Sequence, residues 1–361
     1  MASSTYVYPY FQNSTLLSLS FVRESGGRND HYLGLTIFHI FLASWVGVAN
    51  SSQIINVILS DGLRRQPKTI LICNVCVAEL IMGVFLCPLY TDTLMQGTWR
   101  HNTTLCAVYE LTFYLQVGVS TLAVLVVAVE RLYFLLTPGM MEGSGGRCIT
   151  IVLLCVPWII GAALVVPIFK FGTVAIQSEN AGPCQLLWKS KFQAVVVFIS
   201  FLCPAFLLLC VVVALHALHV VMKVHAKRRD LGPHPEKKAI KESLRVVLLV
   251  STVCVVLQFP FFVILFKAVL CHAGGPTTSC GIETSTWSAT MAILMLKAGV
   301  TPVAWMAYTD IRVWFRQGLA GMVCGSKGVA EDDLSCRSND QESYVASVGH
   351  SRQAILQTSP M

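Results

Sequence analysis

Residues 107–136 read AVYELTFYLQVGVSTLAVLVVAVERLYFLL, a run in which Glu110 is the only charge before Glu130 and Arg131. A helix needs about 20 mostly apolar residues to cross a bilayer, and this stretch exceeds that. Hydrocarbon offers no water to backbone N–H and C=O groups, so an apolar run of this length must be helical. Six similar runs accompany it, at residues 33–59, 69–95, 148–169, 192–222, 243–270 and 286–308, with short stretches between them. The expected fold is an all-α membrane protein, a seven-transmembrane helix bundle over residues 33–309. Residues 1–32 are expected to form an extracellular segment, 310–321 a short amphipathic helix and 322–361 a disordered cytoplasmic tail.

Composition agrees with this reading. Mean hydropathy is +0.65, and charged residues make up 12% of the chain, against about 25% in soluble domains. The net charge of +7 raises the question of nucleic acid, but the distribution of charge answers it. Arg64, Arg65 and Lys68 lie between spans one and two, and a larger basic group runs from Lys223 to Arg245 between spans five and six. With Arg131, Arg147 and the tail, one side of the bundle holds 18 of the 26 basic residues. Basic loops stay cytoplasmic, which puts the N-terminus outside and the C-terminus inside. The partners implied are membrane lipids, not nucleic acid. The first 30 residues lack a basic start followed by an apolar core, so no cleaved leader is expected.

Two glycosylation triplets, beginning at Asn13 and Asn102, fall on the expected exterior, whereas a third at Asn50 lies inside span one. Of 14 cysteines most lie within spans, where a small apolar thiol is the ordinary reading. Cys106, Cys184, Cys271 and Cys280 are exterior and meet an oxidising environment. Four cysteines allow three connectivities; Cys106–Cys184 with Cys271–Cys280 is the favoured expectation, its second bridge closing a small loop between spans six and seven. Cys324, beyond the last span near basic residues, reads either as a palmitoylation site or as a free cytoplasmic thiol.

Landmarks recur along the spans. Arg131 follows Cys106 by 25 residues, about 37 Å of helix and so the full bilayer with its headgroups. Asn50 lies in span one, Ala78-Glu79 in span two, Trp158 in span four, Pro204 in span five and Phe259-Pro260 in span six. Thr301-Pro302-Val303-Ala304-Trp305 closes span seven, and residues 310–319 then alternate apolar and basic side chains as an interfacial helix does. In this ordered set the chain resembles the rhodopsin-like (class A) G-protein-coupled receptors, as an atypical member, over about residues 33–321. The resemblance implies a multi-pass plasma-membrane receptor that transmits a signal to a heterotrimeric G protein, without a cofactor and without enzymatic activity. By the same resemblance Cys106 and Cys184 match the family's bridge from span three to the second outer loop. Glu130-Arg131 matches its acid–arginine pair for G-protein coupling, and Pro302 the proline of its Asn-Pro-x-x-Tyr motif. Tail serines such as Ser335, Ser338 and Ser343 are sites where phosphorylation would attract arrestin.

The departures from the family are as informative. Leu132 stands for the tyrosine after the arginine, Gln258 for the tryptophan two residues before the sixth-span proline, Val212 for a span-five tyrosine, and Trp305 for the phenol of span seven. These are switch positions in the family, so their loss suits ligand-independent activity, or a receptor-like scaffold with no ligand. Lys297 sits five residues before Pro302, where a lysine costs roughly 2.5–3.5 kcal/mol on insertion scales and should therefore have a partner. In the family an acid of span two, with polar residues of spans one, three and seven, encloses a sodium ion. The corresponding positions here are Glu79, Asn50, Ser120, Thr301 and Lys297, so the Lys297 ammonium is expected to replace the ion and pair with Glu79. Retinal attachment does not fit, because the lysine of visual-type opsins aligns with Met295. A less favoured reading is a seven-helix transporter using Glu79 and Lys297.

The outer-pocket positions carried over from the family are Phe113, Tyr114, Val117, Val196, Phe261, Phe262, Leu265, Trp287 and Met291, with Ser200 and Gln258 adding polarity. Phe113 occupies the place of the amine receptors' aspartate, so an apolar or lipid-like ligand is expected if there is one. The alternative is that these side chains simply fill the bundle. Glu110 reads either as a contact for a cationic group or as a solvated helix-end acid. His216, His219 and His225 lack associated acidic or thiol ligands, so no metal site is expected.

Overall fold

A computed structural model describes residues 29–96, 98–136, 144–171, 173–176, 184–187, 191–228, 235–273 and 284–324. Its helices are α1 (Asn29–Leu59), α2 (Asp61–Arg64), α3 (Pro67–Ile81), α4 (Cys87–Gln96), α5 (Thr103–Leu136), α6 (Ser144–Phe171), α7 (Lys191–Arg228), α8 (Pro235–Ala273), α9 (Thr284–Trp305) and α10 (Thr309–Cys324). The seven spans are α1, the composite α3–α4, and α5 to α9; among the described residues these are the helices long and apolar enough to cross a membrane. Several helices outrun their apolar stretches. Those of spans five and six, α7 and α8, continue through Lys223, Lys227, Lys237 and Lys238, because lysine and arginine are good helix formers and the backbone needs no lipid to stay helical. The last helix likewise reaches Cys324, three residues past the expected boundary.

Span two is not one regular helix. A π-helical turn, Met82–Leu86, joins α3 to α4. Pro88 explains it: proline has no N–H, and its ring collides with the carbonyl four residues back, at Val84, so the ladder widens there. Span seven also ends earlier than its apolar run. After Trp305 the chain tightens into successive three-residue hydrogen bonds, from Met306 N to Val303 O, Ala307 N to Ala304 O and Tyr308 N to Trp305 O, each 3.1 Å. This turn redirects the chain into α10.

A two-stranded antiparallel hairpin, β1 (Thr173–Ile176) and β2 (Cys184–Leu187), adds to the all-helical expectation. Four-residue strands leave too little alternation to register in a sequence, and these lie in a segment read as loop. Cys184 opens β2 and is bonded to Cys106, with Cα atoms 5.7 Å apart. The hairpin is thereby fastened to the outer end of α5. Asn13, Cys280 and residues 325–361 lie outside the described residues, as do the side chains of Cys271 and Cys324.

Span three is the axis of the bundle: 78% of its most apolar window is buried, against 22–28% for α1, α6 and α7. The peripheral helices leave large side chains such as Phe41, Phe206 and Phe259 mostly exposed, as suits a surface bathed in acyl chains rather than water. Within the bundle lie two apolar cores. The outer one includes Met82, Leu86, Phe113, Val117, Phe261 and Ala298. The inner one includes Val75, Cys76, Ala123, Val124, Cys254 and Ala304. Between them lie buried polar residues of α1, α3, α5, α8 and α9: Asn50, Glu79, Ser120, Gln258, Lys297 and Thr301. The bundle thus carries a polar layer at mid-depth.

Close approach of spans one and two depends on Gly83. A Cβ there would stand 2.7 Å from Val46 Cγ1 and 2.9 Å from the Gly47 backbone nitrogen, whereas one at Gly34 would meet nothing within 4 Å. Backbone cannot yield as a side-chain tip can, so Gly83→Ala should cost about 1–3 kcal/mol as overpacking. Gly34→Ala should be neutral or slightly stabilising. Melting of the two variants in lipid nanodiscs checks this; equal midpoints would show that the helices separate freely at Gly83.

Candidate functional site

The polar layer is built around one carboxylate. Glu79 lies on the inward face of α3, wholly buried, and Lys297 on α9 is 2% exposed. Lys297 Nζ stands 2.9 Å from Glu79 Oε1. Ser120 on α5 links the two: Nζ donates to Ser120 Oγ over 2.6 Å, and the hydroxyl donates to Glu79 Oε1. The second carboxylate oxygen accepts from Gln116 Nε2 at 3.0 Å. Two opposite charges removed from lipid thus meet each other and two further polar side chains, as a charge in low dielectric requires.

Asn50 and Thr301 serve differently from the expectation. Neither touches the ion pair. Asn50 Nδ2 donates to the carbonyls of Val46 and Ala298, at 2.9 and 3.0 Å. Thr301 Oγ1 donates to the Lys297 carbonyl at 2.7 Å. Both side chains are short, so they reach backbone and hold span seven around Lys297 rather than ligating its ammonium. Gln116, absent from the sequence-derived set, does reach the carboxylate. It precedes Ser120 by four residues and therefore shares its helix face, which is the signal that could have found it.

Gln258, in place of the tryptophan, ties α8 to the central helix. Its Oε1 accepts from Thr121 Oγ1 at 2.8 Å, and its Nε2 donates to the Val117 carbonyl at 3.5 Å. It belongs to the polar layer. Phe113, Tyr114, Val117, Phe261, Leu265 and Met291 are brought together in the outer core, with Phe262 and Trp287 packed against it. Their rings interlock: Phe113 lies 5.7 Å from Phe261 and 6.1 Å from Trp287, and Tyr114 5.7 Å from Phe201. Val196 and Ser200 are half-buried on α7. Glu110 is buried rather than solvated.

At the inner end Arg131 Nε and Nη2 donate to the two oxygens of Glu130, and both residues are buried. Nearby, Tyr308 gathers three elements. Its ring stacks on Trp305 at 6.3 Å, its hydroxyl meets Ser243 Oγ of α8 at 3.3 Å, and Lys68 Nζ sits 4.7 Å over the ring while pairing with Asp310 at 2.6 Å. Burial pushes the Tyr308 phenol up to about 12, so it stays protonated at neutral pH. The Thr309 backbone N–H donates to Glu242 of α8. The phenol missing at Trp305 is therefore supplied three residues later, a cluster the sequence reading did not single out. On the exterior, Asn102 is exposed and caps α5 by accepting from Leu105 N at 2.7 Å. That bond uses the side-chain oxygen and leaves Nδ2, the atom a glycan takes, uncommitted. Among the described residues no group of His, Cys, Asp and Glu could hold a metal ion.

The sequence pattern of the 7 transmembrane receptor (rhodopsin family) matches residues 50–305. The G-protein coupled receptor moody of Drosophila melanogaster is 24% identical over 234 residues, 62% of this chain but 33% of that receptor, so the chain spans about a third of its length. Somatostatin receptor type 1 of Rattus norvegicus is 22% identical over 274 residues, 71% of this chain and 68% of the receptor. G-protein coupled receptor 84 of Homo sapiens is 28% identical over 132 residues, 35% and 33% of the respective chains.

The ion pair has a direct test. Lys297→Met leaves the Glu79 carboxylate buried without its cation, at a cost of roughly 3–5 kcal/mol, and should sharply lower surface expression and melting midpoint. Glu79→Gln with Lys297→Met removes both charges and should recover part of the loss. A double variant no better than the worse single one would refute direct pairing.

Proposed function

The chain belongs to the rhodopsin family of seven-transmembrane receptors, and from that premise we propose that it carries a signal across the plasma membrane to a heterotrimeric G protein, with Lys297 serving as a built-in cation at the core of the switch. The observation that carries the reading is the Lys297–Ser120–Glu79 linkage, which joins spans seven, three and two at mid-depth. A receptor equilibrates between closed and open bundles. α8 is held to α5 through Gln258 and Thr121, and to the start of α10 through Glu242 and Thr309, contacts that would favour the closed bundle. Releasing those contacts swings the inner end of α8 outward and uncovers Arg131 for the G protein.

The ligand that suits the outer core is one with an apolar body, which would part the rings of Phe113, Phe261 and Trp287. Membrane lipids cover the exposed apolar faces, Asn102 carries a glycan, and the tail serves arrestin once phosphorylated. A scaffold without a ligand would keep the fold and lose the coupling. A transporter would use the same two charges and move charge in the absence of G protein.

Two measurements check the proposal. Expressed with a labelled heterotrimeric G protein, the chain should bring it into proximity, and Arg131→Ala should abolish that signal without changing surface level; proximity unaffected by the substitution would sink the coupling role of Arg131. Replacing sodium by an inert organic cation should leave basal signalling unchanged, because the ammonium already fills the ion's place. A clear sodium dependence would contradict the built-in cation.

A further inference from the structure

Seven acidic side chains are described, and six have a partner. Glu79 has Lys297, Glu130 has Arg131, Asp61 has Arg64, Asp92 has His101 and Asp310 has Lys68, while Glu242 accepts the Thr309 N–H. Glu110 is the exception: it is 8% exposed, and among the described residues no hydrogen bond or ion pair reaches its carboxylate.

Its position is informative. Cys106, Tyr109, Glu110, Phe113, Tyr114 and Val117 are all buried and recur at three- and four-residue spacing, so they form one inward stripe of α5. Glu110 lies one turn below the disulfide to the hairpin and one turn above Phe113. Tyr109 precedes it and Tyr114 follows one turn deeper on the same stripe, and Tyr109 packs 5.4 Å from Trp99. A buried carboxyl group with no counter-charge pays a desolvation cost to ionise in the empty protein. Ionisation becomes favourable when a cation arrives, since the carboxylate and a cation attract strongly where water is excluded.

We propose that Glu110 is the counter-ion for the cationic head, an ammonium or guanidinium group, of an amphiphilic ligand whose apolar body lies against Phe113 and its ring neighbours. This names the head group of the ligand in the receptor reading above and rests on that reading. Phe113 leaves the stripe without an acid one turn deeper, so the head is held nearer the extracellular surface.

The test uses purified full-length protein in lipid nanodiscs, without G protein, so that a failure of coupling leaves it unaffected. Without any ligand, Glu110→Leu should melt above the wild type, because it removes a buried polar group that nothing satisfies. Naphthylethylamine is the cationic probe, and naphthylethanol the matched neutral one. The amine should raise the wild-type midpoint and bind at least about tenfold more weakly to Glu110→Gln, with binding retained in Glu110→Asp, while the alcohol should not discriminate among them. Glu110→Leu melting at or below the wild type would show that the carboxyl group is already satisfied, and equal amine binding by wild type and Glu110→Gln, or none at millimolar amine, would likewise overturn the proposal.

Discussion

One lysine and one glutamate, both removed from water, set the terms for the rest of this bundle. A lone charge at mid-membrane is costly, and each here is tolerable because the other stands 2.9 Å away. The pair fixes more than itself. Ser120 must lie between the charges and Gln116 must reach the remaining oxygen, which sets the rotation of α5 about its axis. Asn50 must hold the span-seven backbone from the side of α1. The apolar cores above and below can then pack as ordinary hydrophobic clusters, since the ion pair and its polar neighbours from five helices are gathered in a single layer.

Backbone hydrogen bonding imposes the second constraint, and the irregular places are those where a residue breaks the ladder. Pro88 opens the π-helical turn of span two, and that turn includes Gly83, where α1 comes close enough to exclude a side chain. Asn74 of α3 then accepts from Trp158 Nε1 at 2.8 Å and donates to the Leu154 carbonyl at 3.1 Å, anchoring span four. Small departures in one helix therefore set the distances of two neighbours.

The seven spans are legible in the sequence because an apolar run in lipid has only one way to satisfy its backbone. Glu79 and Lys297 are legible for the complementary reason: charges in such runs are scarce enough to be matched by counting. Residues whose roles depend on rotation or on a turn are less visible. Gln116 looks like any polar residue until the face of α5 is known, and Tyr308 lies in the tightened turn that sequence periodicity extended as helix. The hairpin strands are too short to show a pattern. The Cys106–Cys184 bridge is a choice among connectivities on sequence alone and becomes a distance only in three dimensions.

The tether on the mid-depth cation has a mechanical meaning. A diffusible ion leaves a closing site by exchange with solvent, so its departure and the movement of the helices are separate events. The Lys297 ammonium is attached to the α9 backbone through four carbons and can travel no farther than they extend. Any displacement of α9 away from α3 beyond that length pulls two unlike charges apart in a medium of low dielectric, and the energy climbs most steeply over the first ångström or two. The side chain behaves as a tether of fixed maximum length between the two helices, its reach set by covalent geometry rather than by the concentration of anything in the surroundings.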